Sequence, residues 1–373
     1  MDTNINPIKF MQLNCDKSLA SHLQILQIAC EKNINIICIQ EPYVYVSHYK
    51  DTTKFSAPLH QNYNCYYETS GSRPYTMIYV HKCITSYKLI NSSNEHCTTV
   101  KIVNSTNPMT QSFIYVASIY SNPTDLTPTS RFEILTKSLS VADKRYLLLC
   151  ADVNAKSSLW SSPVTDKKGI EMEQLLFEND LSIINSSNSL PTFDSVIGKS
   201  WIDITCIGHN LFSQASDWNI VDTTSLSYHR LIQFQINATI PEVVKPNIKR
   251  TEWKLVNNLL NEKLKSERFQ NLITGMEINN DIVYVENLIK LIRTYLQESV
   301  ERATPTPKQH KYSSNSWWSN ELSIMRAENN NLRRLSQRHR SSREHPSHAS
   351  YKRHSIKFKS AIKSAKWKDL PIV

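Results

Sequence analysis

Along residues 1 to 240 the hydrophobic positions come in short runs separated by polar turns: IKFMQLN, INIICIQE, YNCYYE, TMIYVHK, SFIYVASIY, YLLLCADVN, LSIIN, WIDITCIG and LIQFQI. Their length and their β-branched and aromatic content predict strands. Several are almost continuously apolar, as strands covered on both faces are. LIQFQI instead alternates Ile232, Phe234 and Ile236 with Gln233 and Gln235. Helical spacing intervenes at 18–32 (Leu19, Leu23, Leu26, Cys30), at 128–140 (Phe132, Leu135, Leu139, with Pro128 suited to the first helical position) and at 168–179. The pattern predicts an α/β fold of the α+β kind, a two-sheet sandwich with helices outside.

The pattern changes after PEVVKPNIK at 241–249. Residues 251 to 300 repeat apolar positions at helical spacing (Trp253, Val256, Leu259, Leu260, Leu264; then Val285, Leu288, Leu291, Ile292, Leu296). ATPTPKQHKYSSNS at 303–316 reads as a linker, because two Thr-Pro steps disfavour helix. Three regions are therefore expected: a domain over 1–240, a helical linker region over 241–300, and a basic, partly helical or disordered tail over 301–373.

Charge sharpens that division. The 373 residues carry a net +10, but residues 301–373 hold 16 Lys and Arg against 5 Asp and Glu, and the remainder holds 27 against 28. All the basic excess thus sits in the tail, where it alternates with His, Tyr, Phe and Trp in RRLSQRHRSSREHPSHASYKRHSIKFKSAIKSAKWK. That mixture suits phosphate contacts and base stacking, although a solvated helix would have a similar composition. A hydrophobic content of 40% with only 5 glycines fits a real core. No apolar run approaches the ~20 residues a membrane span needs, and no leader pattern opens the chain. The eight cysteines show no C-x-x-C or Cys/His zinc spacing, so reduced structural thiols are expected.

Many of the strands end in polar groups. Asn14 and Asp16 close the first, Glu41 the second, Asn122 follows Tyr120, Asp152 and Asn154 end LLLCADVN, Asp203 lies in WIDIT, and His229 stands at the mouth of LIQFQI. Singly, each has a dull explanation as a turn or cap residue. Jointly, acids and amides after apolar strands, with no adjacent Lys or Arg to form surface pairs, suggest one shared cleft. Clustered carboxylates need a cation, and oxygen ligands select a hard one, Mg²⁺ or Mn²⁺.

In order and with fitting spacing, MQLNCD, IICIQEPY, VASIYSNPT, LLCADVNAKSSLWSS, LPTF, WIDIT and SLSYHRLI resemble the endonuclease/exonuclease/phosphatase superfamily. The resemblance is greatest to the endonuclease domain of non-LTR retrotransposons of the Jockey and I-factor kind. It implies the four-layer two-sheet sandwich of that superfamily and metal-assisted hydrolysis of DNA phosphodiesters. Glu41, with Asp16 and Asn14, would hold the divalent ion. Asp152 and Asn154 would position and deprotonate the attacking water, Tyr120 would contact the phosphate or leaving oxygen, and Asp203 would orient His229 as the acid/base pair. Lys156, Trp160 and Arg230 would touch DNA. The tail resembles the segment that leads into reverse transcriptase, so the chain is expected to be the front piece of an element polyprotein or a truncated copy. A nuclear place of action and contacts between the tail and element RNA belong to the same expectation.

One residue departs from the family wording. Where the family has Ser-Asp-His, Tyr228 stands between Ser227 and His229. A phenol brings no charge at neutral pH, so an impaired nuclease or a catalytically dead nucleic-acid-binding remnant is also expected to be compatible with the sequence. A superfamily phosphatase acting on smaller phosphoesters is the third alternative.

Overall fold

The apolar runs form two six-stranded sheets packed face to face, seen in a computed structural model that describes residues 7–49, 52–69, 71–103, 113–124, 130–195, 198–221, 225–238, 250–279, 282–305 and 315–368. In chain order the strands are β1 Ile8–Asn14, β2 Ile36–Gln40, β3 Tyr45–Tyr49, β4 Thr52–Ser56, β5 Tyr63–Tyr66, β6 Thr76–His81, β7 Ser86–Lys88, β8 Cys97–Val103, β9 Phe113–Tyr120, β10 Leu147–Asp152, β11 Leu181–Ile183, β12 Phe193–Asp194, β13 Lys199–Ser200, β14 Asp203–Gly208, β15 Ala215–Ile220 and β16 Ile232–Ile236. The helices are α1 Leu19–Glu31, α2 Ser130–Ser138, α3 Val141–Lys144, α4 Lys167–Glu178, α5 His209–Phe212, α6 Trp253–Leu264, α7 Glu267–Asn279, α8 Ile282–Ala303, α9 Asn320–Arg338 and α10 Pro346–Lys368. The first sheet runs β15-β16-β1-β2-β6-β5 and the second β11-β14-β10-β9-β8-β7. Each has one parallel pair at its centre, β1 with β2 and β9 with β10.

Side chains alternate across a strand, so each central strand contributes two buried rows. The outward rows pack under helices: Met11, Leu13, Ile37 and Ile39 under Ile25, Leu26 and Ala29 of α1, and Leu147, Leu149 and Ala151 under Met172, Leu175 and Leu176 of α4. The inward rows meet between the sheets, as Phe10, Ile36, Cys38, Val116, Leu148, Cys150 and Ile207. This explains the near-continuous apolar runs. Helix, sheet, sheet and helix form the four layers.

The inward rows also change character along their length. They read Ile8-Phe10-Gln12-Asn14, Ile36-Cys38-Gln40, Val116-Ser118-Tyr120, Leu148-Cys150-Asp152 and, on antiparallel β14, Ile207-Thr205-Asp203. A buried polar layer lies beneath the ends: the Gln12 amide donates to the carbonyls of Ala151 and Ile204, and Gln40 to Ser118 Oγ and the Cys150 carbonyl. Five strand ends therefore present polar side chains at one edge of the sandwich.

The chain divides into two compact units, residues 1–242 with 312–373, and residues 243–311. Within the second, α6 and α8 pack antiparallel, with Thr251 and Thr304 hydroxyls 2.9 Å apart at one end and a Lys263–Glu298 ion pair at the other. Within the first, the basic segment forms α9 and α10, which fold back on α1. Leu19, Ala20 and Leu23 are buried with Trp317, Leu322, Phe358 and Ile362, so every residue of α1 from Leu19 to Cys30 is covered. Part of the stretch read as a linker, residues 306–314, lies outside the described residues. Among those described, no helix is long and apolar enough to cross a membrane, and all eight cysteines are free thiols.

Candidate active site

Strand register alone brings the site together. On the inner face Asp152 lies directly opposite Tyr120 on β9 and Asp203 on β14. Two buried carboxylates placed directly across from each other repel. A third group resolves this: His229 Nδ1 lies 2.9 Å from Asp203 Oδ2, and its Nε2 lies 3.9 Å from Asp152 Oδ2. All three are buried and form the cluster of possible metal-ligating groups among the described residues. Burial would lower the imidazolium pKa, but the Asp203 carboxylate, helped by Asp152 and Glu41, pushes it up to about 9. Burial and then Asp203 push Asp152 up to about 7, against the opposing pull of His229 and of hydrogen bonds from Asn14 and the Asn154 N–H.

The other sheet supplies the other half. Asn14 Nδ2 donates to Asp152 Oδ2 at 2.8 Å and to Glu41 Oε2 at 3.2 Å, so one amide ties the carboxylates of the two sheets together. Glu41 Oε1 takes Lys17 Nζ at 2.8 Å. The Asn14 side-chain carbonyl accepts the Asp16 N–H at 2.8 Å. Burial and the neighbouring Glu41 raise the Asp16 carboxyl, and His229, Lys359 of α10 and Lys17 oppose that rise. Tyr120 hydrogen-bonds Glu41. Burial and the nearby Glu41 and Asp152 hold its phenol well above the ordinary value, so it remains a donor.

Backbone strain collects at this edge. Asp16, Lys17, Glu41 and Asn154 all have positive φ, between 42° and 51°. Such a conformation costs a non-glycine residue on the order of 1–2 kcal/mol. The surroundings enforce it: Glu41 N–H donates to Tyr75 O, Lys17 N–H to Glu41 O, and Asn154 Nδ2 to Ser121 O. The loop after Asp152 is pinned to the start of α4, where the Lys156 N–H meets the Asp166 carboxylate and a Cβ on Gly169 would lie 1.8 Å from the Lys156 carbonyl.

The LPTF stretch acquires a role. Thr192 Oγ1 accepts the N–H groups of both Ile202 and Asp203 at 3.0 Å, and Thr192 O accepts the Arg230 N–H. Phe193 forms an isolated bridge with His229 and sets its ring edge-on to the imidazole, centroids 5.0 Å apart. The chain on both sides of the Asp203–His229 pair is thereby fixed.

Among the groups expected at DNA, Lys156 is exposed. Arg230 is half-buried and paired with Asp194 at 2.7 Å. Trp160 is a correction: it is wholly buried in the core over the second sheet, with its indole N–H on the Ala155 carbonyl, so it cannot touch DNA in this structure. Tyr228 is half-exposed, its ring 6.2 Å from that of Phe193, and it lines a small pocket with Arg333, Arg340 and Tyr351. Sequence reasoning passed over Lys17, the stacked rings of Tyr75 and His96 beside Tyr120, and Arg333. Lys17, adjacent to Asp16, was the one with a readable signal.

The donor set fits a hard divalent cation. Among the described residues Asp152, Asp203 and His229 have ligand atoms within 4.8 Å of one another, and the carboxylates of Glu41 and Asp16 stand at the same edge. Residues 114–233 match the family model described as endonuclease-reverse transcriptase. No curated protein sequence matches the chain. The endonuclease domain of TRAS1, a telomere-specific non-LTR retrotransposon, is similar at 21% identity over 62% of this chain and 98% of that one, with a TM-score of 0.53. Weaker likenesses are an AP endonuclease, LMAP, from Leishmania major (14% identity, 63% and 90% covered, TM-score 0.48) and the 3′-5′ exonuclease NExo from Neisseria meningitidis (14%, 61% and 99%, 0.43). Residues 114–233 are thus similar to the endonuclease-reverse transcriptase family, and the two-sheet fold is the one seen in a non-LTR retrotransposon endonuclease.

Proposed function

We propose that the protein is a metal-dependent DNA endonuclease that hydrolyses one phosphodiester bond of a duplex and leaves a 3′ hydroxyl, as target-site nicking requires. The observation that carries this reading is the Asp203–His229 pair facing Asp152, which Asn14 joins to Glu41. A structural cluster would have no need to hold an imidazole between two buried carboxylates and leave one of its nitrogens 3.9 Å from the second.

Glu41, Asp16 and Asn14 would hold Mg²⁺ or Mn²⁺, which when bound supplies Lewis-acid charge to the scissile phosphate. His229, donating Nδ1–H to Asp203, directs Nε2–H toward a phosphate oxygen, where negative charge grows during attack. Asp152, raised toward neutrality and oriented by Asn14 and the Asn154 N–H, takes the proton of the attacking water. Tyr120 supplies a donor beside the leaving oxygen. The likeness to a retrotransposon endonuclease supports DNA over smaller phosphoesters.

The product ends test the reading. Nicked plasmid should be extended by a DNA polymerase without prior phosphatase treatment, and Asp203→Asn should lower the nicking rate about 10²- to 10⁴-fold, the range of a lost acid/base pair. Ends that need phosphatase treatment, or turnover of a phosphomonoester without nicking, would overturn it.

A further inference from the structure

Arg333 of α9 is almost wholly buried, at 3% exposure, in a tail whose other cations mostly face solvent. Its Nη1 donates to the carbonyls of Ser225 at 2.7 Å and Ser227 at 3.0 Å, and its Nη2 to Tyr228 O at 3.4 Å and Asp194 O at 3.5 Å. Burying a guanidinium costs heavily unless its donors are met, and here backbone carbonyls meet them. Those carbonyls belong to the segment that delivers His229 and to β12, whose Phe193 flanks the imidazole.

We infer that Arg333 is a positioning residue for catalysis, a clamp by which the basic C-terminal helices fix the His229 loop, so that the catalytic unit includes α9 and α10. This rests on the nuclease reading above. Other contacts act in the same place. Asp194 gathers Arg230, Arg340 and Gln337, and Arg340 also donates to Ser195 O. Gln24 of α1 accepts the Leu226 N–H at 2.9 Å, and α1 is the helix on which α9 and α10 sit. Residues 225–229 belong to no named strand, so guanidinium and amide add to the isolated Phe193–His229 bridge in holding the loop. The planar fork reaches carbonyls from both segments at once; a lysine ammonium, a single point of charge, does not.

The test uses the full chain with Arg333→Ala, Arg333→Lys and, on the exposed part of the same tail, Arg343→Ala. Single-turnover nicking and affinity for a labelled duplex in EDTA are measured separately, with thermal unfolding recorded for each variant. Arg333→Lys and Arg333→Ala should each cut the single-turnover rate at least about tenfold while Kd stays within about twofold. Guanidinium ion should restore part of the Arg333→Ala rate and none of any Arg343→Ala deficit. A wild-type rate in Arg333→Lys, or a change confined to Kd, would show the tail to be a phosphate-binding surface only. Amide exchange reads the clamp without cleavage: residues 226–231 should exchange faster in both Arg333 variants while β1 and β2 do not. If the wild type fails to nick, the nuclease reading falls, and unchanged exchange in that loop overturns the clamp as well.

Discussion

The residue scale turns on positions 228 and 229. His229 is held between Asp203 and Asp152, and its neighbour replaces the carboxylate of the family wording with a phenol. From the sequence, Tyr228 removes a negative charge at neutral pH. In the fold its ring rests on Phe193 and lines the pocket of Arg333, Arg340 and Tyr351, and its carbonyl accepts from Asp194 N–H and Arg333. Tyr228→Asp should therefore change the nicking rate by less than about tenfold; a gain near 10²-fold, the upper end for an outer-shell metal partner, would show that the missing carboxylate governs activity. Asp152, Glu41 and Asn14 were legible as a group because each ends an apolar run, and Asp203 because it lies at the start of one. Trp160 was misread and Arg333 passed over because side-chain burial in a polar stretch depends on a distant partner, α4 for one and the His229 loop for the other.

Among the elements, α1 shows how packing decides what periodicity leaves open. Its apolar positions, Leu19, Leu23, Leu26 and Cys30, predicted one buried face, yet the opposite side, with His22, Gln24 and Gln27, is also covered. His22 accepts the Tyr43 N–H at Nδ1 and so presents Nε2–H to the Tyr79 hydroxyl at 2.9 Å, a neutral imidazole in the core. Burial lowers its pKa to about 3. Between about pH 6.5, where the unfolded side chain titrates, and that value, the unfolded state binds the extra proton, so this group's contribution to stability is present above 6.5 and is lost as pH falls. Asp152 and His229, both shifted upward, act in the opposite sense and gain stability as pH falls through their folded values. Comparison at one site separates them: in urea unfolding between pH 6 and 4.5, His22→Gln should lose about 1.4 kcal/mol less per pH unit than the wild type. Equal slopes would mean that His22 is protonated in the folded protein. Among the strands that periodicity missed, β8 (CTTVKIV) and the β3–β4 hairpin carry Thr, Lys and Ser among their apolar positions, and cross-strand pairing rather than local pattern selects them.

At the scale of the whole molecule, the two-sheet sandwich followed from alternating strand and helix signals, and the convergence of five strand ends followed from register. The return of the basic tail to α1 did not, because contacts such as Asn315 with Gln27 and Arg326 with Glu31 span nearly 300 residues of chain and leave no local pattern. Charge asymmetry sets that tail apart in the sequence; packing places its helices on α1, in the same compact unit as the two sheets. In the proposed function Glu41 and its neighbours, with His229, make this edge a metal-dependent DNA nuclease. The most direct measurement is conversion of supercoiled plasmid to open circles by the full chain across a Mg²⁺ titration, beside Glu41→Ala at equal folded concentration. Nicking that requires Mg²⁺ and falls at least about 10²-fold in Glu41→Ala is the result expected. Metal-independent nicking, or an unchanged rate in Glu41→Ala, would contradict it.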